Sequence, residues 1–267
     1  MSEIAVIREG SGPEVLLVHG GASPATTWSS LSPLRERWTL VVVHRRGYPP
    51  SPPPDERQDF EVDATDLLRL LDGRPHVVAH SYGGLAALIA AARRPTKVRS
   101  LTLIEPPVYL LPEDPEVARL KRLGDAVLLH GLDAEPAMLR EFLRLAGAPV
   151  VGEGPLPEDV ARGVHRAHGG RLPGDAELRL DELRDAGIPA LVASGAHAEG
   201  LERICDALAE ELRARRLVAP GAGHFVAAAP GFAAGLEEFL RSATVAMSAD
   251  AEPALPQREG RSKRLCH

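Results

Sequence analysis

The nine residues HVVAHSYGG at positions 76–84 constrain the fold of this chain more than any other segment. Residues 77–79 are typical of a β-strand, and the alanine- and leucine-rich residues after Gly83 are typical of a helix. Between them, Ser81 has Ala79 two positions before it and Gly83 two positions after it. A serine at a sharp strand-to-helix turn needs small neighbours, because strand and helix approach closely there and the hydroxyl is left exposed. The pattern therefore predicts a nucleophile elbow at Ser81.

Short apolar runs alternate with helix-like segments along most of the chain. Five runs are rich in β-branched residues and lack polar alternation, as expected of parallel strands buried on both faces. Amphipathic helices between them imply an α/β fold, with a mostly parallel sheet and helices on both of its faces. We also expect an edge strand, a last strand and a last helix. The five runs are 15–18, 40–43, 77–79, 101–104 and 190–193, and the other three elements are 4–7, 216–218 and 232–240.

One interval, residues 106–187, breaks this alternation. It contains no convincing strand, but it has helix-like segments around 117–129, 138–145, 160–168 and 178–186. We expect it to form a helical cap over the C-terminal edge of a sheet whose core is built from residues 1–105 and 188–242. From residue 243 to 267 the sequence turns to serine, alanine, glutamate, proline and basic residues, which predicts a disordered tail.

Charge and composition exclude several classes of protein. A net charge of −6 argues against nucleic-acid binding, which needs a clustered basic surface. No apolar run approaches the roughly 18 residues that cross a bilayer, and the first residues do not resemble a secretory signal. Cys205, on an apolar helix face, and Cys266, in the predicted tail, are too few for a disulfide framework or a zinc site. We therefore expect a cytoplasmic protein without nucleic-acid or membrane partners.

A glycine-rich loop follows the predicted strand at 15–18, with the sequence His19-Gly20-Gly21. Acyl transfer needs backbone N–H groups directed at a developing oxyanion, and glycines allow the close approach that this requires. The usual pair comes from this loop and from the residue after the nucleophile, which nominates Gly21 and Tyr82. A tight strand-exit turn without a catalytic role is the alternative.

A serine hydroxyl is a weak nucleophile until a neighbouring base accepts its proton. Among ten histidines, His224 lies in a glycine-rich loop between the last predicted strand and the last predicted helix. A base at the C-terminal edge of the sheet, later in the chain than the serine, is expected there. His224 is therefore the predicted base, and an exposed loop histidine is the alternative. His80, beside the serine, is expected to face the other side of its strand and to be packed or bonded internally.

These residues carry a resemblance to the α/β-hydrolase superfamily, and within it to bacterial members with a helical cap, across residues 4–242. The motifs occur in family order: the His19 loop, His44-Arg45-Arg46-Gly47, the Ser81 turn and Gly223-His224. His44 departs from the pattern, because the family often has aspartate there. The resemblance implies a serine hydrolase that works through an acyl-enzyme. We expect a small-molecule substrate, and no cofactor or metal.

The sequence departs from the family pattern at the acid of the triad. Family members often place it three residues after the glycine that ends the strand equivalent to 190–194, which falls on Ala198 here. Glu105, which directly follows the predicted strand at 101–104, is the better candidate, because a strand end holds a side chain rigidly. Glu199 is the alternative acid, and a third option is that neither serves. His197 either orients the base, binds substrate or is a solvated loop residue.

The leading hypothesis is hydrolysis of a carboxyl ester, or a related acyl bond, of a small-to-medium apolar substrate. Ser81 would attack, His224 would transfer the proton, and Gly21 and Tyr82 would bind the oxyanion. Carbon–carbon bond hydrolases, hydroxynitrile lyases and perhydrolases use the same scaffold, so sequence motifs separate them poorly. A non-catalytic ligand-binding protein is a further alternative, favoured by Ala198 at the usual position of the acid.

Overall fold

The computed structural model describes residues 3–249. Within this range, seven strands form one sheet: β1 (Val6–Glu9), β2 (Glu14–Val18), β3 (Thr39–Val43), β4 (His76–His80), β5 (Ser100–Ile104), β6 (Ala190–Ser194) and β7 (Arg215–Val218). Their order across the sheet is β1-β3-β2-β4-β5-β6-β7. Strand β1 pairs antiparallel with β3, and the other neighbouring strands are parallel. Because parallel strands end at the same edge, the loops after β2, β4, β5, β6 and β7 meet there.

Helices connect these strands and cover the sheet. Those of the described residues are α1 (Pro24–Trp28), α2 (Phe60–Leu68), α3 (Gly83–Arg93), α4 (Pro115–His130), α5 (Pro136–Leu145), α6 (Glu158–Ala167), α7 (Leu180–Asp185), α8 (Glu199–Leu212) and α9 (Phe232–Ala249). Short 3-10 turns occur at Ser29–Glu36, Pro95–Lys97, Gly131–Asp133, Pro173–Asp175 and Val226–Ala228.

The hydrophobic core lies on both faces of the sheet, which explains the unbroken apolar runs. Leu16 and Val18 of β2 belong to an apolar cluster that includes residues of α2, α3 and α8, whereas Val15 and Leu17 belong to a second cluster with residues of α1 and α9. Successive strand residues point to opposite faces, so a strand covered on both sides is apolar at every position. The predicted α/β fold, with a mostly parallel sheet and helices on both faces, is confirmed.

The edge strands differ slightly from the sequence prediction. Strand β1 spans Val6–Glu9 rather than 4–7, and β7 begins one residue earlier than predicted. In β1, residues 7–9 are exposed and Val6 is only half-buried. Apolarity therefore does not define the ends of this strand, which are set by its antiparallel register with β3 from Val6 opposite Val43 to Glu9 opposite Leu40.

The last helix is longer than predicted. Helix α9 continues nine residues past Leu240, because Ala243 is buried and Thr244 lies within hydrogen-bond distance of His76 in β4. The tail predicted from residue 243 therefore begins inside this helix. The rest of that segment, with Cys266, lies outside the described residues.

Four helices, α4 to α7, occupy the interval between β5 and β6 in which helical segments were predicted. Helices α4, α5 and α6 share a small apolar cluster of their own, separate from the two clusters on the sheet. Helix α4 also packs against α8, and α7 packs against α3 and α8. In residues 3–249, no helix is both long and apolar enough to cross a membrane.

His76, at the start of β4, links the sheet to α9. Its Nδ1 lies 2.7 Å from Ser100 Oγ and its Nε2 lies 3.1 Å from Thr244 Oγ1. Burial, with a smaller effect from Arg99, lowers the pKa of His76 from 6.5 to about 4. Between these two values the unfolded chain binds a proton that the folded protein excludes. The free energy of unfolding therefore falls as the pH drops through this window.

Because of His76, the free energy of unfolding is expected to fall by about 2 kcal/mol between pH 7 and pH 5. The His76→Gln variant should lack this decrease. Urea unfolding at the two pH values measures this difference. The exposed His165→Gln variant is the control and should lose as much stability as the wild type over this range. An H76Q protein with the wild-type pH dependence would contradict the assignment.

Candidate active site

Ser81 lies at the turn between β4 and α3. Its backbone φ is +51°, a left-handed conformation that is costly for a residue with a side chain. The turn is held by a 2.8 Å bond from Ser81 N–H to the carbonyl of Ile104. Glycine is required around it, because a Cβ on Gly20 would lie 2.7 Å from Ser81 Cβ, and one on Gly83 would lie 2.3 Å from the His19 carbonyl oxygen. Ser81 is half-buried, and its hydroxyl makes no hydrogen bond within residues 3–249.

Glu105 directly follows β5 and is almost completely buried. Its φ of +44° also lies in the left-handed region, so the backbone is bent sharply at the strand end. Oε1 accepts a 2.7 Å hydrogen bond from Gly195 N–H, and Oε2 lies 2.6 Å from His224 Nδ1. Burial alone would raise the pKa of Glu105, but the facing imidazoles of His197 and His224 lower it to about 2. The carboxylate is therefore ionised at neutral pH, and His224 Nδ1 is the donor in their hydrogen bond.

His224 lies in the loop after β7, with its backbone held by the strand that carries Ser81. His80 Nε2 donates a 2.8 Å hydrogen bond to the His224 carbonyl, and the two ring centroids are 4.5 Å apart. Burial, followed by the charge of His224, lowers the pKa of His80 to about 3. His80 is therefore neutral, and its Nε2 carries the proton. The expectation that His80 is packed or bonded internally is confirmed. This bond brings the loop of His224 to the residue next to Ser81.

The other candidate acid lies apart from this cluster. Glu199 begins α8 with a side chain that is 63% exposed, and it pairs with Arg203 one helical turn later. His197 does approach the acid: its Nδ1 is 3.4 Å from Glu105 Oε1, and its Nε2 lies 3.0 Å from the Leu145 carbonyl oxygen. Its side chain is only 18% exposed, so the interpretation of His197 as a solvated loop residue is wrong.

The predicted oxyanion donors lie on either side of the Ser81 turn. Within residues 3–249, neither the Gly21 nor the Tyr82 amide donates to another protein group. The Gly21 carbonyl accepts a 2.8 Å bond from the Tyr48 hydroxyl, and the Tyr82 hydroxyl donates 2.8 Å to the Arg171 carbonyl. The loops are therefore anchored through other groups, which leaves the two amides available to a ligand.

A buried ionic network contacts the His19-Gly20-Gly21 loop through its backbone carbonyls. Arg45 Nη1 donates to the Gly20 carbonyl at 2.9 Å, and Arg45 Nε pairs with Asp63 Oδ2 at 2.9 Å. Gln58 also accepts from Arg45. Both members of the ion pair have side chains at most 4% exposed. Sequence reasoning noted Arg45 only as part of a motif and missed Asp63. The signal in the sequence was the position of Asp63 on the apolar face of α2, where a buried charge needs a partner.

Three side chains of this cluster, Glu105, His197 and His224, offer ligand atoms within 4.8 Å of one another, which is a spacing compatible with a metal ion. The donor arrangement does not fit one. Both carboxylate oxygens already accept N–H groups, from Gly195 and His224, and a metal would have to replace the His224 Nδ1 proton. We therefore assign no metal to these residues.

Comparison with known proteins gives the same family as the fold. A family profile described as "Alpha/beta hydrolase family" matches residues 15–235. The chain therefore belongs to the alpha/beta hydrolase family, which confirms the resemblance seen in the sequence. An α/β hydrolase structure from Sphaerobacter thermophilus is 28% identical, with a TM-score of 0.62 over 88% of this chain and 95% of that one. An esterase structure from Thermogutta terrifontis has a TM-score of 0.66 over 90% and 93%, but its 22% identity bears on the fold alone.

Two relatives of known name are similar over much of their length. The 2-(acetamidomethylene)succinate hydrolase of Mesorhizobium japonicum is 28% identical over 248 residues, which cover 83% of this chain and 84% of the relative. The pimeloyl-[acyl-carrier protein] methyl ester esterase of Methylococcus capsulatus is 32% identical over 179 residues, which cover 65% and 67%. Both are hydrolases, which agrees with the family.

The buried ion pair yields a stability prediction. Asp63→Asn removes the counter-charge of Arg45, and leaving this guanidinium buried and uncompensated is expected to cost roughly 3–5 kcal/mol of unfolding free energy. Glu61→Gln, in the same helix, breaks a partly exposed pair with Arg93 and should cost no more than about 1 kcal/mol. Urea denaturation measures both. Equal losses in the two variants would show that Arg45 does not depend on Asp63.

Proposed function

We propose that this protein is a serine hydrolase that cleaves a carboxyl ester, or a related acyl bond, of a small molecule through an acyl-enzyme. The observation that carries the proposal is the hydrogen bond between His224 and the buried Glu105, in a loop that is bonded to His80, the residue before the strained Ser81. Nucleophilic acyl transfer requires an imidazole that is oriented by an ionised carboxylate and can accept the proton of a serine hydroxyl.

In the proposed mechanism, Ser81 Oγ attacks the acyl carbon while His224 Nε2 accepts the hydroxyl proton. Glu105 stabilises the imidazolium that forms and keeps its Nδ1 proton in place. The Gly21 and Tyr82 amides donate to the oxyanion of the tetrahedral intermediate. The intermediate collapses when His224 returns the proton to the leaving alcohol. Water then attacks the acyl-enzyme with the same base, releasing the acid and restoring Ser81.

The substrate is proposed to be small to medium in size with an apolar acyl group. We further propose that residues 106–187 act as a cap, with residues 1–105 and 188–242 as the hydrolase core. The contacts of α4 and α7 with α8 support this division, because they place the interval against a helix of the core. The names of the two relatives support hydrolysis of an acyl compound, since one is a hydrolase of a substituted succinate and the other an esterase of a methyl ester on an acyl-carrier protein.

Replacing Ser81 with alanine is expected to abolish labelling by a fluorophosphonate probe and to reduce hydrolysis of p-nitrophenyl esters by at least about 10⁴-fold. The reason is that no covalent acyl intermediate can form without the hydroxyl. Labelling and turnover are measured on the full chain, with circular dichroism to confirm folding. Ser100→Ala, which changes a buried serine in the neighbouring strand β5, is the control for labelling elsewhere. Probe attachment that persists in S81A would reject the proposed nucleophile.

The two candidate acids are separated by a matched pair of variants. Glu105→Gln is expected to lower kcat by roughly 10³–10⁴-fold, because the amide no longer stabilises the imidazolium or maintains the His224 tautomer. Glu199→Gln removes an exposed partner of Arg203 and should change kcat by less than about twofold. Steady-state kinetics on the same ester measures both. A large loss in E199Q with a small one in E105Q would reverse the assignment.

One substrate panel distinguishes ester hydrolysis from the other reactions that this scaffold supports. Esters, β-diketones and cyanohydrins are compared at equal enzyme concentration, each with wild type and S81A. Ser81-dependent turnover of esters supports the proposal, whereas turnover confined to β-diketones or cyanohydrins would replace it. A bound ligand without turnover of any compound would favour a binding protein.

A further inference from the structure

His197 lies in the loop after β6, one residue before the position where the family often has its acid. Both nitrogens of its ring face oxygen acceptors. Nε2 lies 3.0 Å from the carbonyl oxygen of Leu145 at the end of α5, and Nδ1 lies 3.4 Å from Oε1 of Glu105. The ring is thus located between the proposed acid and a helix of the interval 106–187.

A neutral imidazole can donate to only one of these two oxygens. It carries one N–H and one lone pair, whereas an imidazolium carries two N–H groups. Donation from Nε2 to Leu145 leaves the lone pair of a neutral ring directed at the Glu105 carboxylate. Nδ1 is buried and, at its present distance, has no hydrogen-bond partner among the described residues. Only the charged ring offers a donor to both oxygens.

The groups around His197 leave Glu105 as its nearest carboxylate. From α8, Glu202 lies near but is bound to Ser194, Ala196 and Arg216, and Glu199 is bound to Arg203. From α4, Glu116 and Arg119 pair with each other, and Arg119 also pairs with Glu141. From the loop after β7, the His224 ring centroid lies 6.1 Å away.

A cavity of about 260 Å³ connects His197 to its surroundings. It lies between α4, the end of α5 and the start of α8, and its lining includes Leu120, Leu145 and Ala198. A cavity of this size has room for water, which would give protons access to the ring. The carboxylate of Glu105 raises the pKa of His197 above its ordinary value, against the opposing effect of burial.

We propose that His197, in its charged form, is a second imidazole partner of Glu105 that positions the acid, ties it to the end of α5 and sets the pH range in which His224 acts. This inference rests on the proposed function, because it assigns a role to the same acid and base. Glu105 then shares its negative charge between two rings. While His197 is positive, its ring lies 6.1 Å from that of His224 and repels a second positive charge there.

The test is His197→Gln, which keeps a donor near Leu145 or Glu105 and removes the charge. The acid limb of the kcat/KM profile is expected to move to higher pH by roughly 0.5–2 units, from the Coulomb interaction of two charges at this separation. His165→Gln, on the exposed face of α6, is the control and should leave the profile unchanged. A purely structural role would lower the profile without moving its acid limb, and that result would overturn the inference.

A second measurement does not require turnover or folding of the H197Q variant. In the full-length Ser81→Ala protein, NMR titration of the imidazole signals should give His197 a pKa above 6.5. Adding Glu105→Gln should lower the pKa of His197, because the facing negative charge is gone. An unchanged value in that variant would overturn the inference even if esters are hydrolysed. Conversely, failure of the wild type to hydrolyse any ester would reject the proposed function while leaving this titration interpretable.

Discussion

The burial of one carboxylate organises this end of the molecule. Glu105 leaves β5 with a left-handed φ and makes contacts with three residues of two loops: it accepts Gly195 N–H and the His224 ring, and it faces His197. A buried anion is tolerated only where donors surround it. A rearrangement of these loops would therefore leave the carboxylate without its hydrogen-bond donors. The positions of the groups at the ends of β5, β6 and β7 therefore depend on a single side chain.

A second buried charge holds the other side of the Ser81 turn. The guanidinium of Arg45 binds the carbonyl of Gly20 and is neutralised by Asp63 in α2. Tyr48 fixes the next carbonyl, that of Gly21. These contacts occupy the acceptors of the loop and leave its amide free, as electrostatic stabilisation of an oxyanion requires. Thus Ser81 lies between two regions that are each held by a desolvated, compensated charge.

Local patterns predicted the fold where burial is uniform and failed where it is not. The runs that became β2 to β6 are apolar because both faces of the sheet are covered, so their composition alone identified them. Strand β1 is exposed on most of its length, and its ends depend on pairing with β3. The extension of α9 depends on Ala243 and Thr244 contacting the body of the protein, which small residues near a polar segment do not signal.

The sequence by itself determined the strand-turn-helix around Ser81, the glycine loop at Gly21 and the late histidine, because each is a short motif with its own backbone requirement. It did not decide whether Glu105 or Glu199 is the acid, because both are glutamates that follow a predicted strand or its loop. The tertiary structure brings Glu105 to 2.6 Å from His224 and leaves Glu199 exposed beside Arg203. Both this difference and the approach of His197 to Glu105 arise because separate strands end at a common edge of the sheet. No local pattern in the sequence encodes a distance between residues so far apart along the chain.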